Sequence, residues 1–244
     1  MMHIDSLNRK LFRDLWRIKG QALAISMVMA CGIALMISSF GTVTVLEESM
    51  NAFYDRTRFA DVFATLKRAP DSLKEDIERI PGVSIVETRV IAAVNLDLPN
   101  MAEPATGQLI SLPERGTPLL NDVIILNGRY PSSQRPSEIV VTDAFASAHG
   151  MTVGDSFKAI INGNKRSLEI VGLGMTPEYI YALGPGSLMP DDRRFGVMWM
   201  GRKALAAAFD LDGAFNSVTM ALQLGASEEE VIRRLDVLLE PYGG

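Results

Sequence analysis

The sequence is short of the residues on which most catalytic and metal sites depend. Its 244 residues include one cysteine, Cys31, and two histidines, His3 and His149. A single cysteine excludes an internal disulfide framework and a multi-cysteine zinc site, and two histidines leave little material for a histidine-based active site. No GxxxxGK[ST], GxSxG or HExxH motif is present in the sequence. We therefore expect that the chain is not an enzyme and holds neither cofactor nor metal.

Positive charge is also in deficit. The chain carries 24 Lys and Arg against 29 Asp and Glu, a formal net charge of −5. This balance argues against a nucleic-acid partner, since few basic residues remain to meet phosphates. The hydrophobic fraction of 48% is too high for a disordered chain. A chain of this length can bury a core of one large domain with attachments.

Charge is missing altogether from one long run. Gly20–Leu46 contains 27 residues and no charged side chain. As a helix this run would be roughly 40 Å long, enough to cross a hydrocarbon core of about 30 Å with some tilt. Three alternatives fit less well: a cleaved signal peptide is shorter, a lipoprotein signal would end near Cys31, and a core helix is rarely so long. We predict a transmembrane helix over residues 20–46.

The segment before this run is basic and amphipathic. Residues 1–19 carry five basic side chains against two acidic ones, which predicts a cytoplasmic N-terminus and an extracytoplasmic remainder at the inner (plasma) membrane. Apolar residues recur on one helical face with arginines between them. This segment is either a generic insertion flank or an elbow helix that a cytoplasmic partner contacts. The candidate elbow residues are Leu11, Phe12, Arg13, Leu15, Trp16 and Arg17.

Small residues recur every fourth position inside the apolar run. Spacing of this kind allows a second helix to approach closely in lipid. The alternative is that small residues are simply common in membrane helices. The candidate packing residues are Ala22, Ser26, Ala30, Ala34 and Ser38.

Beyond the span, helical and strand patterns are mixed. Residues 47–60 read as a helical stalk, and Asp61–Leu66, a helix after Asp71 and one strand Val83–Leu98 form a split β-α-β unit. A second such unit combines strand Phe195–Met200, helix Arg202–Phe209, strand Asn216–Leu224 and a helix opened by Ser227. We expect residues 61–100 and 195–244 to form one α/β subdomain.

The intervening residues 101–194 are rich in turns and short strands. Asn162-Gly163 between two alternating runs, 155–161 and 165–172, predicts a hairpin with a type I′ turn. The predicted fold class is therefore α+β, a transmembrane helix followed by a split-βαβ part with a β-rich insertion. The last helix has no strand after it, which suggests that the sequence is a fragment.

A few isolated residues could have a role outside the core. His149 precedes Gly150 at a predicted helix end, where a capping role is expected. The run Asp191–Arg194 is either a solvated turn paired with itself or a partner site. Tyr179 and Tyr181 either line a cleft or belong to a half-exposed strand. We take Tyr179, Tyr181, Asp191 and Arg193 as a candidate periplasmic partner surface.

Several short motifs, in order along the chain, carry a family resemblance. The lead Arg13–Ala22 into the span, the stretch Arg135–Val141, the Val153-Gly154-Asp155 step and the run Pro190–Gly196 are the main ones. Together they resemble ABC-transporter permeases of the MacB/FtsX type, with a MacB-like periplasmic core domain. The resemblance implies that the α/β part is porter-like and that further transmembrane helices, absent here, follow the domain.

The resemblance also implies partners. A separate cytoplasmic ABC ATPase subunit would hydrolyse ATP, and its movement would reach the periplasmic domain for export or extraction of a substrate. A second permease copy or half would complete a dimer in membrane lipid. The alternative function is a single-pass anchored sensor or scaffold domain without transport activity.

Overall fold

A long helix, two β-sheets and four shorter helices make up the described chain. The computed structural model describes Lys10, Arg13, residues 16–17, 19–98, 101 and 104–244. It divides into one unit over Met1–Ala52 and a second over Phe53–Gly244. The helices are α1 (Lys19–Thr57), α2 (Leu73–Glu78), α3 (Asp143–His149), α4 (Arg202–Ala208) and α5 (Glu228–Leu239). The strands are β1 (Val62–Pro70), β2 (Val83–Arg89), β3 (Ile91–Asp97), β4 (Ala105–Leu112), β5 (Ile124–Gly128), β6 (Glu138–Thr142), β7 (Ser156–Ile161), β8 (Asn164–Met175), β9 (Phe195–Gly201) and β10 (Ala214–Leu222).

Helix α1 carries the uncharged run and continues through the predicted stalk. By length and composition it could cross a membrane, and its most apolar part is not buried against the rest of the chain. The hydroxyl of Thr42 donates to the carbonyl of Ser38 at 2.8 Å, and Thr44 donates to Phe40 at 3.1 Å. These bonds satisfy the hydroxyls within the helix, as an apolar surrounding requires.

The smaller sheet has three antiparallel strands in the order β1-β10-β2. Helices α2 and α5 supply apolar side chains to one core with these strands, including Ile77, Phe215 and Leu235. The Oγ of Ser227 accepts a bond from the Glu230 N–H at 3.4 Å, so α5 begins at the predicted cap. This is the split β-α-β arrangement that the sequence predicts.

The larger sheet has seven strands in the order β5-β8-β6-β9-β4-β3-β7. An additional β7–β8 pairing closes the sheet into a ring. Glu169 of β8 pairs with Ser156 of β7 on one side and with Glu138 of β6 on the other. Its inner face holds the largest core of the chain, centred on Phe145, Leu109 and Met198. The β7–β8 hairpin turns at Asn162 and Gly163, both with positive φ (45° and 76°), as the sequence predicts.

The prediction of a single strand over Val83–Leu98 is wrong, because the structure has two strands there, β2 and β3. The chain leaves the small sheet after Arg89 and enters the large sheet at Ile91. Side chains replace the ladder at this crossover: Ser111 Oγ accepts from the Val90 N–H at 2.9 Å, and Asn216 Oδ1 accepts from the Ile91 N–H at 2.7 Å. Apolar alternation continues across the break, so the pattern alone does not reveal it.

The expected placement of 195–209 beside the small sheet also differs from the structure. Strand β9 pairs with β4 and β6, at the centre of the large sheet. Phe195, Val197 and Trp199 pack on its outer face and Met198 and Met200 on its inner face. A strand buried on both faces reads as a continuous apolar run, which gives no sign of which sheet it joins.

Candidate functional site

Helix α1 ends in a set of hydrogen bonds to the loop before β5. Arg58 adopts a left-handed conformation (φ 51°) that ends the helix. The Thr57 carbonyl accepts from the Asp122 N–H at 2.9 Å, and the Arg58 carbonyl accepts from the Asn121 N–H at 3.0 Å. Carbonyls that a helix end leaves without partners are thus bound by a segment more than 60 residues away in sequence.

Asn121 is the centre of this contact. It is 4% exposed and has a positive φ of 51°, a conformation that asparagine tolerates better than most residues. Its Oδ1 accepts from the Ala60 N–H at 2.9 Å, and its Nδ2 donates to Glu178 Oε2 at 3.1 Å. Its carbonyl accepts from the Thr176 hydroxyl at 3.2 Å. One buried side chain therefore joins the chain after α1 to the turn after β8.

Glu178 also binds Arg89, the last residue of β2. The guanidinium is bidentate, with Nη1 at 2.6 Å from Oε2 and Nη2 at 3.0 Å from Oε1. The two side chains are 9% and 13% exposed. Burial alone would lower the pKa of Arg89, but the Glu178 carboxylate outweighs it and raises that pKa. The Nε of Arg89 is buried without a hydrogen-bond partner among the described residues.

A second carboxylate, Glu87, lies two residues before Arg89 on β2. Its Oε2 accepts from the Leu120 N–H at 2.8 Å, in the same loop as Asn121. Burial raises the pKa of Glu87, although the backbone hydrogen bond from Leu120 acts against that shift. The loop is thus bound to the small sheet by Glu87 and to the helix end by its backbone.

We call the set Thr57, Arg58, Asn121, Arg89 and Glu178 the junction. It connects the end of α1, the small sheet and the turn that follows β8 of the large sheet. Its bonds are between carboxylate, guanidinium, amide and backbone groups, and it contains neither a nucleophile paired with a base nor a cluster of metal ligands. Among the described residues no group of three or more His, Cys, Asp or Glu could hold a metal ion. The arrangement is suited to holding elements together.

The predicted partner-surface residues differ in exposure and in their local contacts. Tyr179 is half-buried and its hydroxyl accepts from Gln108 Nε2 at 2.9 Å, and burial raises its pKa. Tyr181 is 78% exposed. Asp191 Oδ1 accepts from the Arg193 N–H at 3.0 Å, so this run includes a local turn bond. The Arg193 carbonyl lies 2.9 Å from His149 Nε2.

The described members of the two N-terminal sets are helical and exposed. Arg13, Trp16 and Arg17 lie in helical conformation, and the Lys19 Nζ lies 5.5 Å from the Trp16 ring centre. Leu11, Phe12 and Leu15 lie outside the described residues, as does the side chain of Ala22. The remaining packing residues are exposed on α1, namely Ser26, Ala30, Ala34 and Ser38.

Sequence reasoning missed the junction. Arg89 continues an alternating strand, and Asn121 lies in a segment without periodicity, so local pattern gives no sign of their burial. Two weak signals could have found them. Arg89 is a charged residue at the end of a strand that begins with apolar residues, and Asn121 belongs to an Asn-Asp pair able to adopt positive φ.

Comparison with known proteins gives likenesses of structure. No family model matches the sequence, and no curated protein matches it. The structure is similar to the extracellular domain of the noncanonic ABC-type transporter YknZ from Gram-positive bacteria, at 12% identity over 70% of this chain and 84% of that one, with a TM-score of 0.44. It is similar to the periplasmic region of MacB from Actinobacillus actinomycetemcomitans, at 12% identity over 70% and 73%, with a TM-score of 0.42.

A third solved structure is a domain of a protein described as a permease from Porphyromonas gingivalis. It is 16% identical over 73% of this chain and 77% of that one, with a TM-score of 0.38.

Proposed function

We propose that this chain belongs to an ABC-transporter permease subunit that passes movement from a cytoplasmic ATPase to an extracytoplasmic domain. The observation that carries the proposal is the continuity of α1: it includes the whole uncharged run and ends at Thr57, in the junction. A tether for an independent domain would need only a flexible linker there. The chain would act without a catalytic site of its own, in export or extraction of a substrate.

The proposed orientation follows from the charges at the two ends of the span. The basic side chains before Gly20 stay in the cytoplasm and the acidic remainder lies outside the inner membrane. In this orientation the elbow segment is on the side where ATP is hydrolysed. Its arginines would face an acidic groove of the ATPase or the lipid head groups.

A second permease copy or half is the proposed partner within the membrane. The small side chains Ser26, Ala30, Ala34 and Ser38 would allow its helix to approach α1 closely. Close packing would let two helices move together when the ATPase changes shape. Lipid would cover the remaining surface of the span.

Topology and ATPase contact can be tested with one pair of variants in a Cys31→Ala background. Arg13→Cys places a thiol before the span, and Glu229→Cys places one at an exposed position of helix α5. We expect a membrane-impermeant maleimide to label position 229 in intact cells and position 13 only after permeabilisation. We also expect position 13, but not 229, to crosslink to a co-expressed ABC ATPase. The proposal is wrong if both positions label from outside.

Coupling through the junction can be tested by hydrogen exchange of the complex in nanodiscs. ATP is expected to change the exchange rate of the loop that contains Asn121. Glu178→Gln should abolish that change while ATP hydrolysis continues, whereas the exposed variant Glu75→Gln should preserve it. An ATP response that survives Glu178→Gln would exclude the junction as the route. Correct topology without any ATPase contact would favour the single-pass sensor or scaffold.

A further inference from the structure

An open groove lies on the outer face of the large sheet, beside the segment that follows Glu178. The outer face of β9 is covered by the turn that holds Tyr179 and Ala182. The neighbouring face of β3 and β4 is left open, and Ala93 is exposed there. A cavity of about 720 Å³ lies over it. This volume is within the range of about 300–1,000 Å³ that small-molecule sites occupy.

The groove is bounded on two sides. Leu183 and Pro185 from the loop before β9 line one side, and Ile160 with Asn162 from the β7–β8 hairpin line the other. Two smaller hollows continue it. One, of about 430 Å³, shares Pro185, and the other, of about 290 Å³, shares Ile160. The two smaller hollows also share Pro104 with each other, so the three adjoin and form one concave surface.

No charged residue is among the described residues that line the main cavity, whereas Asp191 and Arg194 line the first of the smaller hollows and Asp97 lines the second. Apolar side chains dominate, and the polar ones are neutral, such as Asn95, Thr106 and Gln108. Some of these apolar side chains are exposed to solvent: Ile160 is 41% exposed and Leu183 is 52% exposed. A charged ligand would lose its hydration here without gaining an opposite charge. An uncharged apolar ligand would remove this surface from water.

The loop on one wall has further apolar residues free to close over a ligand. Leu188 is 97% exposed and Met189 75%. Gly186 in this loop has a positive φ of 75° and empty space around its Cα. The loop thus presents unburied apolar side chains beside the cavity.

We propose that this outer groove binds a single uncharged acyl chain, with a neutral polar end such as an ester, amide or hydroxyl at the Asn95 side. The mainly apolar lining of the main cavity and its lack of charged residues select this class of ligand over a peptide with charged side chains. The site goes beyond the proposed permease function and does not depend on it. Leu183 and Leu188 would cover the bound chain.

The test uses the full chain in phosphatidylcholine nanodiscs with a diazirine-bearing hexadecanol as the probe. After irradiation, labelled peptides are counted relative to label on α1, which contacts lipid in the same sample. We expect label on β3 and β4, reduced at least fivefold by Ala93→Asp and by Ala93→Trp. The matched control Ala207→Asp changes an exposed alanine outside the cavity lining and should leave the label unchanged. Unfolding midpoints of the variants show that each still folds.

Two further measurements separate the ligand classes. The same diazirine chain ending in a sulfonate should label β3 and β4 at least fivefold less, and equal labelling would overturn the requirement for an uncharged ligand. In cells, a photoreactive benzoylphenylalanine in place of Ala93 should form an adduct with the mass of a lipid. A polypeptide adduct would overturn the proposal in favour of a protein partner, and label insensitive to Ala93→Asp would overturn the site.

Discussion

The buried pair Arg89–Glu178 should be strongly coupled in its effect on stability. Glu178→Gln leaves a guanidinium that is 9% exposed without its counter-charge, although the glutamine oxygen can still accept one bond. Removing one partner of a buried ion pair costs about 3–5 kcal/mol of unfolding free energy. Since one bond survives, we expect a loss of about 2–3 kcal/mol. Arg89→Met should cost a similar amount because the carboxylate of Glu178 is then buried without its counter-charge, although the Asn121 amide still donates to it.

The double variant Arg89→Met/Glu178→Gln removes both charges and should cost clearly less than the two single changes together. A coupling energy of about 1–3 kcal/mol is expected. The sequence has two tryptophans, and Trp199 is 3% exposed, so in a Trp16→Phe background its fluorescence during urea titration reports unfolding.

The exposed pair Glu75–Arg79 is the control. Its side chains are 73% and 70% exposed, and the same cycle there should give less than about 0.5 kcal/mol. Additive single costs at Arg89 and Glu178 would refute the reasoning, because additivity would mean that neither charge depends on the other.

Three further outcomes are expected in urea or thermal unfolding. Glu87→Gln should stabilise the chain at neutral pH, because burial raises the pKa of Glu87 and its ionised form therefore costs folding free energy; the gain should grow as the pH rises above the ordinary pKa of 4.5 and become constant above the raised pKa, and a loss at pH 7 would contradict this. Arg129 lowers the pKa of Glu138 to about 2, and the ionised Glu138 should therefore stabilise the fold by roughly 1–2 kcal/mol, given the exposed arginine. This stabilisation should be complete above the ordinary pKa of 4.5 and lost as the pH falls toward 2. In Glu138→Gln the unfolding free energy should depend less on pH over this acid range. Gly172→Ala should cost about 1–3 kcal/mol, because the added Cβ would lie 2.4 Å from the Arg129 carbonyl oxygen; an unchanged midpoint would show that the strand moves freely.

Local patterns predicted the elements whose causes are local. The uncharged run predicted α1, Asn162-Gly163 predicted the β7–β8 turn, and Ser227 predicted the start of α5. In each case the determinant lies within a few residues, as the length of an apolar run, a pair able to adopt positive φ, or a hydroxyl near free N–H groups. The α+β class follows from the same patterns.

The partition of strands between the two sheets could not be predicted in this way. The crossover at Val90 depends on Ser111 and Asn216, which are 21 and 126 residues away along the chain. The placement of β9 depends on which neighbours bury both of its faces. Apolar alternation specifies which side of a strand is buried but not the strand with which it pairs.

The amino-acid order by itself determined a long apolar helix, its basic flank and the turns and caps of an α+β domain, because propensity and hydropathy act over short distances. Only the tertiary structure decided the junction and the outer groove. The burial of Arg89 requires Glu178 from the turn after β8, and Asn121 requires the helix end at Arg58. Charges can be buried only where distant groups neutralise them, and a groove exists only where distant loops enclose a face.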